Sequence, residues 1–247
     1  MKKHGDIREF EYTTAVVFVP VLFVLFIWVV YWIEVRFGFN LNFLGVFPRK
    51  VAGLPGIFFS PFIHSGISHL YHNSIPLLVL TASTFYFYRS IAWKVIVYGI
   101  LLSGLLTWII GRPSYHIGAS GLIYVLVSFI FFKGVFTGYY RLVALSLLMV
   151  FLYGSMIWYT LPVDESISWE GHLAGFVTGF VFALIFKKNL AKPKKYKWEE
   201  EDYNEAEDEF MKHFDENGNF IEKLPEDPLE NSADQIKITY TFREKKD

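Results

Sequence analysis

The chain has 247 residues, 53% of them hydrophobic and 19% aromatic, with a formal net charge of −1. It contains no cysteine, which excludes disulfides, thiolate nucleophiles and thiolate metal sites. So apolar a composition excludes an ordinary soluble domain, and the near-zero charge hides two opposed parts: residues 1–197 carry 17 Lys/Arg against 7 Asp/Glu, and residues 198–247 carry 6 against 17.

Along the chain, Asp6, Glu9 and Glu11 argue against an organellar transit peptide, and no small-residue cleavage site follows the first apolar run. A membrane span needs about 20 apolar residues to cross roughly 30 Å of hydrocarbon. Hydropathy predicts helices at about 14–33, 69–88, 93–110, 119–132, 140–160 and 170–186, the fourth of them short. A loop of about 30 residues, with Pro48, Arg49, Lys50, Pro55 and Pro61, separates the first two. The expected fold is an all-α membrane protein, a six-transmembrane-helix bundle over residues 1–190, with a short soluble acidic tail, largely flexible, over 191–247. Within the tail, Asp215-Glu216-Asn217-Gly218 reads as a turn and Gln235–Phe242 as one strand. An EF-hand reading of Asp215–Glu222 fails, because the ligand spacing with Gly at the sixth position is absent.

Cytoplasmic loops are enriched in Lys and Arg. With the N-terminus inside, Lys2, Lys3 and Arg8, then Arg89 and Lys94, then Lys133 and Arg141, then Lys187, Lys188, Lys192, Lys194, Lys195 and Lys197 all fall on the inner side. The outer side keeps Arg36, Arg49, Lys50 and Arg112. Both termini are therefore expected in the cytoplasm.

Polar residues inside spans are costly and are functional candidates by default. Three clusters qualify: His64, His69, His72 and Asn73 around the start of the second helix; Gly118-Ala119-Ser120-Gly121 at the start of the fourth; and Gly171-His172, then Gly175 and Gly179, on the sixth. If Lys133 and Lys187 mark inner edges, a rise of 1.5 Å per residue puts Ser120 about 10 Å and His172 about 8 Å below the outer surface. A serine needs a base to act as a nucleophile, and His172 is the best placed. Glu170 is adjacent but faces another direction, so the expectation is a Ser–His dyad. The Ser120 backbone N–H and the side chains of His69 and Asn73, four apart on one helix face, are the candidate oxyanion donors. Taken singly, each feature has a bland reading: small residues at helix contacts, and a structural membrane histidine. The three histidines of the first cluster lack a His-Glu-x-x-His pattern or a carboxylate cluster, so no metal is expected. His116 is a loop histidine with no assigned role.

These residues resemble the rhomboid proteases. Members of that family show His-x-x-x-x-His-x-x-x-Asn on the second helix, Gly-x-Ser-Gly on the fourth, and a histidine followed by glycines on the sixth. Here the matching residues are His64, His69 and Asn73, then Gly118 to Gly121, then His172 with Gly175 and Gly179. The family's tyrosine, one turn after the serine and packed on the histidine ring, corresponds to Tyr124. The resemblance covers roughly residues 12–188. It implies cleavage of transmembrane substrates by Ser120 with His172 as base and then acid, His69, Asn73 and the Ser120 backbone as oxyanion donors, and His64 as a supporting residue of the cavity. Many members carry a Trp-Arg pair in the first loop, where this chain has Phe47-Pro48-Arg49, so the role of Arg49 is open.

The expected partners are transmembrane protein substrates and the lipid bilayer, with no nucleic acid and no cofactor, in a bacterial inner membrane. The sequence names no partner for the tail. The alternatives are a non-catalytic rhomboid-like protein that binds membrane clients and a small transporter. Intact Ser120 and His172 weigh against the first, and the lack of paired intramembrane charges against the second.

Overall fold

Helix α1 runs from Ala15 to Phe37, one turn further than hydropathy predicts. The extra turn is held by its own chemistry. Gly38 takes the left-handed conformation (φ 68°) that closes a helix, and the buried Glu34 carboxylate accepts the backbone N–H of Leu41. The computed structural model describes residues 12–164, 167–186, 196, 198 and 201–221. The chain divides into two units, Met1–Pro193 and Lys194–Asp247.

The remaining helices of the first unit are the single turn α2 (Gly56–Phe59), then α3 (Ile67–Phe87), α4 (Ala92–Ile110), α5 (Ser120–Thr137), α6 (Tyr140–Tyr153) and α7 (Trp169–Ile185). Helix α6 continues as a 3-10 segment, Gly154–Thr160. Among the described residues there is no strand, only two isolated bridges. Four helices among the described residues are long and apolar enough to cross a membrane: Ala15–Phe37, Ala92–Ile110, Ser120–Thr137 and Tyr140–Thr160. A fifth forms if Val51–Phe62 and Ile67–Phe87, bent by 71°, count as one span; α7 is apolar but shorter. Large apolar side chains face outward, Phe151 being 85% exposed, while Thr81, Thr84, Ser103, Ser128 and Thr178 are buried. Thr84, Ser103 and Thr178 bond the carbonyl one turn back, so each polar atom is satisfied within its own helix.

Helix α5 lies at the centre and packs on α3, α4, α6 and α7. Its seam with α7 is made by missing side chains. A Cβ on Gly175 would lie 2.2 Å from the carbonyl oxygen of Gly121, and one on Gly179 would lie 2.3 Å from that of Val125. The backbones therefore touch, as small residues allow between membrane helices. Ser128 Oγ adds a bond across the seam to the Phe176 carbonyl, 2.7 Å.

Helix α5 is not short. It extends to Thr137 and is closed by Gly138 in the left-handed conformation. Lys133, taken above as an inner-edge marker, is only 6% exposed and donates to the carbonyl of Phe186, the C-cap of α7. A cation at a helix C-terminus is favoured by the unpaired carbonyls there, so the lysine can sit inside the bundle. The depth of about 10 Å for Ser120 loses its ruler. Eighteen residues span about 27 Å, which brings the serine nearer the outer end of the helix than the sequence estimate.

In the second unit the turn at Asp215–Gly218 forms. Asp215 Oδ1 accepts the N–H groups of Asn217 and Asn219, and Gly218 has φ 80°. The Asn219 side-chain amide, which donates to Asp215 Oδ2 at 3.0 Å, together with these backbone bonds holds the Asp215 carboxyl below the usual range. The predicted strand Gln235–Phe242 and the basic residues at 2–8 and 187–195 lie outside the described residues.

The glycine seam gives a direct expectation. Gly175→Val should destabilise the fold by about 1–3 kcal/mol, the usual cost of overpacking, in detergent unfolding titrations. Gly154→Ala, whose Cβ would meet only Val150 Cγ1 at an ordinary 3.5 Å, should stay within about 0.5 kcal/mol of the parent.

Candidate active site

Ser120 is the first residue of α5, and the N-cap residue is Ala119, which offers no side-chain acceptor. The first N–H groups of a helix have no intrahelical partner. Without a side-chain cap, those of α5 remain available as donors at the serine. The approach to Ser120 is fixed by backbone pairing. Val46 and His116 exchange two hydrogen bonds, 2.9 and 3.0 Å, and the Gly118 N–H donates to the Ser60 carbonyl, 2.8 Å. Gly118 has φ 106°, which disfavours any side chain.

His69 and Asn73, from the first two turns of α3, converge on that glycine. A Cβ on Gly118 would lie 2.7 Å from the His69 ring and 3.4 Å from Asn73 Nδ2. The Asn73 Nδ2 group is buried without a hydrogen-bond partner among the described residues. His69 Nδ1 lies 3.3 Å from the Ser65 hydroxyl, so Nε2 is the nitrogen against Gly118. The His64 ring packs edge-on against His69 at 5.1 Å, and both of its nitrogens are buried without a partner among the described residues. His72 turns away: it is exposed, and its Nδ1 lies 2.7 Å from the Ser68 carbonyl of its own turn.

His172 sits in the first turn of α7. Its ring stacks on Tyr124 with centroids 4.3 Å apart and planes at 14°. His172 Nδ1 lies 3.0 Å from the Tyr159 carbonyl oxygen. A carbonyl can only accept, so Nδ1 carries the proton and Nε2 keeps the lone pair. The Tyr124 hydroxyl donates to the Met156 carbonyl, 2.7 Å. Both rings are thus tied to the 3-10 segment that ends α6. Glu170, beside His172 in sequence, is 2% exposed and belongs to a different pairing, accepting the Arg112 N–H at 3.2 Å and lying 3.7 Å from Arg112 Nε. A cavity of about 40 Å³, walled by Ser103, Thr107, His116, Ser120 and Ser168 among others, lies behind the serine. An apolar one of about 210 Å³ adjoins Tyr124 between α5, α6 and α7.

Three contributors carry no motif in the sequence. Arg49, at φ 58°, receives the Trp108 carbonyl on its N–H (3.1 Å) and the Ile109 carbonyl on Nη1 (3.2 Å), capping the C-terminal end of α4 and docking the first loop there. His116 is buried between that loop and α7, and burial lowers its imidazole from the ordinary value. The third is the Tyr159 carbonyl. Gly118→Ala should displace His69 and strain the backbone, because the new methyl meets the His69 ring and the residue has φ 106°. The expected outcome is a shifted His69 imidazole NMR signal together with a stability in detergent unfolding lowered by about 1–3 kcal/mol.

The sequence matches the Rhomboid domain family over residues 52–189, which spans α2 to α7. It is 34% identical over 201 residues to a protein of Mycobacterium tuberculosis described only as uncharacterized, covering 75% of this chain and 79% of the relative. A Mycobacterium bovis protein with the same description gives the same figures. One from Mycobacterium leprae is 31% identical over 176 residues, covering 64% of this chain and 66% of the relative. The all-helical bundle, its membrane-length apolar helices and the family match agree: the chain is an integral membrane protein and belongs to the rhomboid family.

Proposed function

We propose that this chain is an intramembrane serine endopeptidase that cuts transmembrane segments of membrane-protein substrates near their outer end. The observation that carries this reading is the restraint on His172. The Tyr124 face and the Tyr159 carbonyl hold its ring in the tautomer with a bare Nε2, the form a general base requires. Ser120 is the nucleophile. Its proton passes to Nε2 as Oγ attacks the scissile carbonyl, and the imidazolium then protonates the leaving amine. A water, deprotonated by the same nitrogen, releases the acyl group. The oxyanion is met by the uncapped N–H groups of α5, by His69 Nε2–H and by Asn73 Nδ2–H. An unpaired buried donor is costly unless a ligand completes it, and Asn73 is such a donor. Gly118 gives the oxyanion room and His64 braces His69. Six crossings with both termini in the cytoplasm of a bacterial cell, α7 being the last crossing, complete the reading. The residues after it form an acidic cytoplasmic tail.

Purified protein in detergent or liposomes should cleave a single-span test substrate. Ser120→Ala and His172→Ala should each remove the activity, by at least about 10⁴-fold on the scale of other serine hydrolases. Asn73→Ala should cost about 100- to 1,000-fold in kcat, as loss of one oxyanion donor does. Cleavage surviving in Ser120→Ala would overturn the assignment in favour of client binding without catalysis.

Substrate choice follows from backbone chemistry. In lipid a helix keeps its scissile carbonyl inside the hydrogen-bond ladder, with no water to replace that bond. Substrates should therefore be helices that unwind easily at the outer end, where Gly and Pro weaken the helix by about 1 and 3 kcal/mol relative to Ala. Changing outer-third Gly and Pro residues of a test substrate to Leu should sharply reduce cleavage at equal insertion. Equal cleavage would move recognition to the flanking sequence.

A further inference from the structure

His116 is 5% exposed and lies four residues before Ser120, on a loop, yet it touches three segments of chain. Its backbone pairs with Val46 of the first loop. Its Nε2 lies 3.1 Å from the carbonyl oxygen of Arg112, and its Nδ1 is in hydrogen-bond contact with the hydroxyl of Ser168. The proton order is forced in the neutral ring. The Arg112 carbonyl can only accept, so Nε2 carries the hydrogen, Nδ1 is bare, and Ser168 donates to it. Ser168 is the N-cap of α7, and its oxygen accepts the Gly171 N–H at 3.3 Å. The next residue is His172, whose own N–H donates to the Ser168 carbonyl at 3.2 Å. Gly111 leaves the ring its place: a Cβ there would lie 2.8 Å from His116 Nε2.

We propose that His116 is a positioning residue for the reaction: through Ser168 it clasps the first turn of α7 to the loop that delivers Ser120, and so sets where His172 stands relative to the serine. The glycine seam, the Ser128–Phe176 bond and the Lys133–Phe186 bond hold α5 to α7 along their middle and at their C-terminal ends. The clasp joins their outer ends at the level of the reacting groups. Arg112 supports it from the same loop, since its Nη2 donates to the Ile167 carbonyl at 2.7 Å and its N–H to Glu170. Displacements of about 1 Å at reacting groups can cost on the order of 100-fold in rate. Losing the clasp should therefore lower kcat and leave KM close to the parent value.

The inference rests on the proteolytic reading above, and the experiment separates the two. His116→Leu, His116→Gln and Ser168→Ala are each assayed for kcat and KM on a single-span substrate and for amide hydrogen exchange in the 167–173 peptide. The glutamine amide can donate to Arg112 and accept from Ser168, so it should restore kcat to within about 3-fold of the parent. His116→Leu and Ser168→Ala should each lose roughly 10- to 100-fold in kcat. The double variant should fall no further than the worse single, because both remove one link. Exchange of the 167–173 peptide should quicken in both and stay unchanged in His116→Gln, with peptides from α3 unaffected. Ser168→Ala carries the test if the leucine variant does not fold. A parent protein that cleaves nothing would defeat the proteolytic reading and the positioning claim with it. An active parent whose 167–173 exchange ignores both substitutions would defeat the clasp alone. Faster exchange with unchanged kcat would reduce His116 to a structural residue and overturn the proposal.

Discussion

Everything in the membrane unit depends on two parallel helices being allowed to touch backbone to backbone. Helices α5 and α7 both begin at the end of the bundle that carries Ser120 and His172, and the Gly175 and Gly179 contacts leave no room for a side chain between them. Parallel neighbours place like dipole ends together, which is unfavourable. The chain answers at both ends. Lys133 meets the carbonyl end of α7 from within α5. At the opposite end, α5 is left without a side-chain cap, and its unpaired N–H groups become a place where negative charge is welcome. The same geometry that is a liability for packing is thus the electrostatic asset of the site.

Around that pair the first loop acts as scaffold. Val46 pairs with His116, Ser60 accepts from Gly118, and Arg49 closes α4. Apart from the Arg49 guanidinium bond these are backbone bonds, and the pairs at His116 and Gly118 fix the chain leading to the serine without contributing a side chain to it. In lipid such non-helical backbone is tolerated only where its polar groups are satisfied within the protein, and here they are satisfied by the segment that needs positioning.

What the sequence made legible were polar side chains and small residues at regular spacings within apolar helices. His69 and Asn73 are four apart, so they share a helix face. The glycines of α7 recur every four residues, so they form one stripe. Ser120 follows two small residues. All of these are local spacings; in the fold His69 and Asn73 meet at Gly118, and Gly121 lies against Gly175 of α7. Lys133 was misread because a lysine in a span is expected at its edge, and only the arrival of α7 supplies the carbonyl that lets it sit inside. Arg49, His116 and Tyr159 were illegible for the same reason. Each acts through a group on a distant segment: Arg49 through the carbonyls of Trp108 and Ile109, His116 through the Ser168 hydroxyl, and Tyr159 by offering its own carbonyl to His172. No spacing in a linear chain announces which partner a fold will deliver.

The partner of His172 Nδ1 is such a carbonyl, and it belongs to every residue type. Position 159 can therefore change identity without losing the bond, and a scan of point substitutions through the segment would pass over it. What the bond cannot survive is a change of length. A 3-10 segment turns once in three residues, so inserting or deleting one residue between Gly154 and Tyr159 would swing the carbonyl by about 120° and aim it away from the imidazole. The relevant variation among related sequences is thus counted in gaps rather than in letters.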